Sequence, residues 1–167
     1  SNLLADLNFL NVKVGNAAVK IAGSVIAGGS VSAAAASTIK FSVTGASLGS
    51  MNVPLSLSIA VTDVNVIVTG TVEAGGDINF DAESNVDINT TATPGSLPGT
   101  LAISVAVLNC RVIVGDSEVG RTSVVSTDGN VRLSAKATTA MKTKAGRGAS
   151  ASGNMSGYFA VGVGVQD

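Results

Sequence analysis

The chain has no histidine and no tryptophan, one cysteine, one tyrosine, and only 3% aromatic and 13% charged residues over its 167 positions. Each shortage excludes chemistry. Without histidine there is no Ser-His or Cys-His couple, no imidazole metal site and no use of the commonest general base. A lone cysteine, Cys110, permits neither an internal disulfide nor a thiolate zinc cluster. The net charge of −1 sets up no overall field towards nucleic acid or an anionic membrane. There is no 18-residue apolar run, so no membrane-spanning helix is expected. No basic, apolar, small-residue leader opens the chain, which reads as a mature form or an excised piece of a secreted protein. With so few aromatics the core must be Val, Ile, Leu and Ala, residue types suited to pleated sheet.

What the sequence has is repetition. Ser24–Ser37 (SVIAGGSVSAAAAS) returns as Thr71–Ser84 (TVEAGGDINFDAES) and, more loosely, as Val124–Ala137 (VVSTDGNVRLSAKA). A second tract, Leu55–Asp63 (LSLSIAVTD), returns as Leu101–Asn109 (LAISVAVLN) and Phe159–Asp167 (FAVGVGVQD), while Leu10–Asn16 (LNVKVGN) matches Leu57–Asp63. The offsets are 47, 46 and 58 residues for this tract and 47 and 53 for the other. These spacings divide one repeat domain, 1–167, into units at 8–54, 55–100 and 101–158, with the start of a fourth at 159–167. The third unit's extra residues fall around Asp116–Arg121 and across Ala145–Gly157, and read as loops lengthened at the corners of a regular scaffold.

Period-two alternation dominates each unit. Leu55, Leu57, Ile59 and Val61 read as one apolar face, with a phase step at Thr62–Asp63 after which Val64, Val66 and Val68 take over. Ile78, Phe80 and Ala82, then Val86 and Ile88, continue the pattern, and the alanine run in Val31–Ser37 reads as strand because it aligns with an alternating segment. Gly28–Gly29, Gly75–Gly76 and Asp128–Gly129 mark equivalent turns. Cys110 aligns with Val64 and Ala17 and is expected to be buried. Copied all-β units predict a parallel β-solenoid, with a β-sandwich or a stacked meander as the alternative. A round coil of one unit would run about 155 Å around, so each unit is either two coils of roughly 20–28 residues or one flattened layer. The echo of Val64 and Val66 in Val86 and Ile88 favours two coils.

Stacking aligned units sets Asn79 against Arg132, Asp81 against Ser134 and Glu83 against Lys136, since the second unit is acidic and the third basic. The tract Phe159–Val165 leaves an open strand edge, as expected of a piece of a longer array or of a subunit that joins itself end to end. No glycine-rich segment carries a phosphate-loop pattern. Gly75–Asp81 (GGDINFD) departs from the calcium nonapeptide GGxGxDxUx, and its aligned copies lack the acid, so an acidic strand face is expected there. Asp81 and Glu83 share that face about 6.6 Å apart, a spacing of interest for glycosidic-bond chemistry, but neither acid recurs in the other units. Lys142, Lys144 and Arg147, beside the long loop Ala145–Gly157, are the expected partner-contact residues.

The pattern of an alternating valine tract followed by V-x-A-G-G-x-V-x-ϕ-x-A (ϕ apolar), at Val25–Ala35 and, with Ile78 for the second valine, at Val72–Ala82, resembles the repeats of large secreted bacterial adhesins of the filamentous haemagglutinin and leukotoxin-like type. The resemblance implies a β-helix exported to the cell surface as a rigid stalk or adhesive shaft, and it carries no catalytic residue onto this chain. The expected function is a structural, adhesive segment of an extracellular bacterial surface protein without catalysis. A self-assembling extracellular filament subunit is the alternative, and a carbohydrate-active β-helix enzyme the third. Expected partners are neighbouring repeats or other copies stacked end to end, and a host or surface glycan or protein. No cofactor, nucleic acid or membrane span is expected.

Overall fold

A computed structural model describes residues 10–45, 55–93, 99–115, 121–146 and 158–166. Ten strands follow in chain order: β1 (Leu10–Ile21), β2 (Ser24–Ala27), β3 (Val31–Gly45), β4 (Leu55–Val68), β5 (Thr71–Ala74), β6 (Ile78–Ala92), β7 (Thr100–Val114), β8 (Ser123–Ser126), β9 (Val131–Ala145) and β10 (Tyr158–Gln166). They form three parallel sheets, ordered β1-β4-β7-β10, β2-β5-β8 and β3-β6-β9. Each unit is thus a long strand, a short strand and a long strand, and each strand lies on its counterpart in the preceding unit. The fold is a parallel β-solenoid of three rungs, with β10 continuing the first sheet.

One unit makes one coil. Leu10 sits beside Leu57, Leu55 beside Leu101 and Ile78 beside Val131, with no coil between them. The expectation of two coils per unit is overturned. Strands β4 and β6, which carry the internal echo, are opposite walls of one coil: the Thr62 and Ser84 hydroxyls meet across the interior at 2.6 Å. The coil solves its filling problem by flattening into two long walls joined at one end by the short β5, so side chains from facing sheets can meet.

The corners align as the repeats predict, with one difference. The Gly75 N–H donates to Ala27 O and the Asp128 N–H to Gly75 O, stacking the three turns. The third corner holds one more residue than the second, so β8 lies one position off the alignment, with Thr71 beside Ser123 and Glu73 beside Val125. Ser126 fills the extra turn, accepting from the Gly129 N–H at 2.9 Å and donating to Gly76 O at 2.8 Å.

Burial corrects the reading of the longest apolar tract. The pairing of β4 with β7 runs without a skipped residue from Leu55 to Val68, so no phase step occurs at Thr62–Asp63. Ser56, Ser58, Ala60 and Thr62 therefore share the interior with Val64, Val66 and Val68, all at 0% exposure. Leu55, Leu57, Ile59 and Val61 point outward and are half-buried. Ile59 and Val105 are stacked side by side as expected, but on the outer face and not in a shared dry core.

The reason lies on the facing wall. Its inward residues Ile39, Phe41, Val86 and Ile88 are large and pack with Ala60, Ala106 and Leu108. Small residues on one wall let large ones on the other fill the space at close approach. At the end nearer β5 the volumes even out, with Val64, Val66, Val68 and Val72 against Ile78, Phe80 and Ala82. Cys110 is in this cluster at 6% exposure, as its alignment with Val64 predicts.

Away from β5 the interior turns polar, and a line of its hydroxyls is paired, while that of Ser56 is buried without a partner. Thr143 donates to Ser104 at 2.8 Å, Ser104 to Thr90 at 2.7 Å and Thr90 to Ser58 at 2.7 Å, a chain of hydroxyls zigzagging between the walls through successive coils. Such a chain is stable only while each member has its partner.

Two stability predictions follow from these contacts. A Cβ at Gly70 would fall on the Gly23 carbonyl one coil away, whereas a Cβ at Gly28 meets nothing within 4 Å. Gly70→Ala is expected to cost about 1–3 kcal/mol and Gly28→Ala to stay within about 0.5 kcal/mol, measured by urea unfolding. Thr90→Val strips partners from the buried hydroxyls of Ser58 and Ser104 and is expected to cost about 1–3 kcal/mol. The triple change Ser58→Ala/Thr90→Val/Ser104→Ala is expected to recover part of that loss, because no orphaned hydroxyl remains among the three.

Candidate functional surface

The outward residues of β3, β6 and β9 form a polar wall whose charge changes sign from coil to coil. Pairing sets Lys40 beside Asp87, Asn79 beside Arg132, Asp81 beside Ser134 and Glu83 beside Lys136, the last three as the sequence predicts. Lys40 lies 3.4 Å from Asp87, and Lys136 lies 3.7 Å from Glu83. All four side chains are exposed by 46–78%, so water and salt screen them and each pair contributes at most about 1 kcal/mol. In-register pairing is what brings these two acids beside their cations.

Asp81 and Glu83 share the outer face of β6, but nothing gathers them into a catalytic pair. Glu83 is engaged by Lys136 and accepts from the Asn85 side-chain amide at 3.2 Å. The face is open. A shallow corner depression of about 250 Å³ lies elsewhere, between Ile26, Ala27, Glu73, Ala74, Gly75 and Thr127, with Glu73 its one ionisable residue.

The glycine-rich corners use their polar side chains on one another. Ser30 Oγ accepts from the Asp77 N–H at 3.1 Å, and Asp77 Oδ1 accepts from the Asn130 N–H at 2.8 Å. Asp77, the acid of the GGD segment, is thus spent on the turn above it. No group of three or more potential metal-binding His, Cys, Asp or Glu residues occurs among the described residues.

Of the expected partner-contact residues, Lys142 and Lys144 lie on β9 and not in a loop, on its exposed outward side. Arg147 and the body of the Ala145–Gly157 loop lie outside the described residues, as does most of the Asp116–Arg121 insertion. The strand neighbours of Lys142 and Lys144 are Asn89 and Thr91, not acids. Two lysines on one side of a strand, with Cα atoms about 6.6 Å apart, suit an extended anion, and they share the wall with Arg132 and Lys136 of the same strand.

Two features escaped the sequence reading. Lys13 occupies an inward position on β1, with its ammonium 5.3 Å from the centre of the Phe41 ring. A charge turned inward on an edge strand discourages further pairing there. The outer face of the first sheet is the other, and its apolar half ends at a polar row where Asp63 accepts from Asn65 at 2.8 Å and from Asn109 at 2.9 Å. The repeated pairing of Asn16, Asp63 and Asn109 was the available signal.

Compared with protein-family models, with curated proteins and with solved structures, the chain finds no match.

Asp77→Ala removes the acceptor of the Asn130 N–H and is expected to lower stability by about 1 kcal/mol, read by urea unfolding. Addition of Ca²⁺ is expected to leave the wild-type Tm unchanged; a rise of several degrees would show that the corner acids bind it.

Proposed function

We propose that this chain is a structural, adhesive segment of an extracellular bacterial surface protein, a stiff shaft that presents broad side-chain arrays and catalyses nothing. The observation that carries this reading is the in-register stacking of whole coils, in which the long walls are ladders bonded from coil to coil. Such a body resists bending and offers area instead of depth. The likeness of Val25–Ala35 and Val72–Ala82 to adhesin repeats supports the same reading, as does the exposed basic strand β9. The partner class that suits Lys142 and Lys144 is an anionic surface glycan or an acidic protein segment.

A specific observation favours a second reading, a filament subunit that grows end to end. The upper side of the third coil leaves Val131 and Leu133 at 42% and 51% exposure, above a fully buried Ile78 and Phe80. Another coil seated there would cover them.

Beads coated with the chain should adhere to a surface bearing sulfated polysaccharide, and Lys142→Glu/Lys144→Glu should reduce retention at least about tenfold. Equal retention of the variant would remove β9 as the contact. Release of sugar from the polysaccharide, lost in Asp81→Asn or Glu83→Gln, would overturn the non-enzymatic reading. Ordered fibres in negative-stain electron microscopy, broken by Leu133→Lys, would favour the filament.

A further inference from the structure

The outer face of the β1-β4-β7-β10 sheet has a feature that a lone stalk segment does not need: half of it is aliphatic. Parallel register aligns its residues in columns. Val12, Ile59, Val105 and Val163 form one column, flanked by a column through Leu57 and another through Val61. On the outer strands these side chains are open to solvent, with Val12 at 52%, Val14 at 64% and Phe159 at 66% exposure. On β4 and β7 they are half-buried. The opposite wall of the solenoid is polar and charged, so the apolar character belongs to one side.

Size and symmetry indicate what covers this face. The apolar part measures about 20 Å along the strands by about 19 Å across them, and the polar continuation of β1, β4 and β7 brings the whole face to roughly 700 Å². One partner in a stable complex contributes about 800 Å², with an apolar centre and a polar rim. The sheet has four strands, so its midline runs between β4 and β7. A two-fold axis along that line, parallel to the strands, lays each apolar column of one copy on the same column of another. Leu57 then meets Ile103 and Ile59 meets Val105, because these pairs sit at equal heights on β4 and β7. The same operation sets Asp63 opposite Asn109 of the second copy, one column from its Arg111, so polar row meets polar row with opposite charge in reach. Facing sheets keep their strand directions within about 30° of one another, and this axis sets them parallel.

We infer that this face binds a second copy of the chain, wall against wall, in a two-fold dimer whose coils lie side by side. This goes beyond the stalk reading and does not depend on it. It also differs from end-to-end stacking, because the contact lies along the coil walls and closes after two copies.

Sedimentation equilibrium of the full chain, from micromolar to near-millimolar concentration, tests the inference. A monomer–dimer equilibrium with no larger species is expected. Ile59→Lys/Val105→Lys should leave only monomer, whereas Thr138→Lys on the opposite wall should leave the dimer constant within about twofold. Both substituted positions of the pair point outward, so circular dichroism should keep the wild-type β signature, with a Tm lowered by the two neighbouring ammonium groups. If the lysine pair fails to fold, Ile59→Thr/Val105→Thr should still weaken the dimer at least about tenfold. A chain that stays monomeric, a dimer indifferent to both pairs, or open-ended growth without a dimer plateau would each overturn the inference.

Discussion

Every coil of this molecule is held by the parallel ladder to the coil beneath it, and that single constraint of residue over like residue dictates most of what else is seen. In a parallel ladder the side chains of successive coils stand on one another at about 4.8 Å. Apolar residues gain from this, as in the column through Val12, Ile59 and Val105. Glycine becomes obligatory where backbones converge, as where Gly70 lies over the Gly23 carbonyl. Charge is the difficulty, since identical acids in every unit would repel along the column. The chain avoids this by changing sign between units, with the acids of β6 between Lys40 below and the cations of β9 above.

The second constraint is cross-sectional. A coil this long can be filled only if its walls lie close together, which requires small side chains where large ones face them. Ala60 and Ala106 meet Phe41 and Ile88, and the interior beyond them is closed by the hydroxyl chain through Ser58, Thr90, Ser104 and Thr143. Hydroxyls suit a narrow interior because two of them meet at 2.7 Å, closer than two methyl groups can. Spending small residues on the interior displaces the aliphatic half of the strand to the outside. The apolar outer wall is therefore a consequence of how the core is filled as well as a surface with a use of its own.

A body made this way offers surfaces in place of clefts. The charged wall, the stacked corners and the apolar wall are each built from side chains repeated at fixed spacing, and the acids that drew attention singly are absorbed by structure. Asp77 holds the corner above it, and Glu83 is paired with Lys136. The cations of β9 beyond Lys136 lie beside Asn89 and Thr91, and that strand gives the charged wall its strongest claim to an external partner.

How much of this was legible in the sequence depends on the kind of order involved. Repeat offsets determined which strands neighbour one another and, except at β8, in what register, because duplicated units that stack in parallel must align copy on copy; the Asn79–Arg132 and Glu83–Lys136 neighbours follow directly. Strand identity and the buried place of Cys110 were equally legible from period-two alternation. Alternation alone does not say which side of a strand faces in, and for Leu55–Val61 the aliphatic side was the natural but incorrect choice. That was decided by the large residues of β3 and β6 across the coil, a contact between positions far apart in sequence with no local signature. The number of coils per unit was decided the same way, because residues 22 apart, such as Thr62 and Ser84, can lie above one another or across from one another. Only the path of the chain through β5 selects between them.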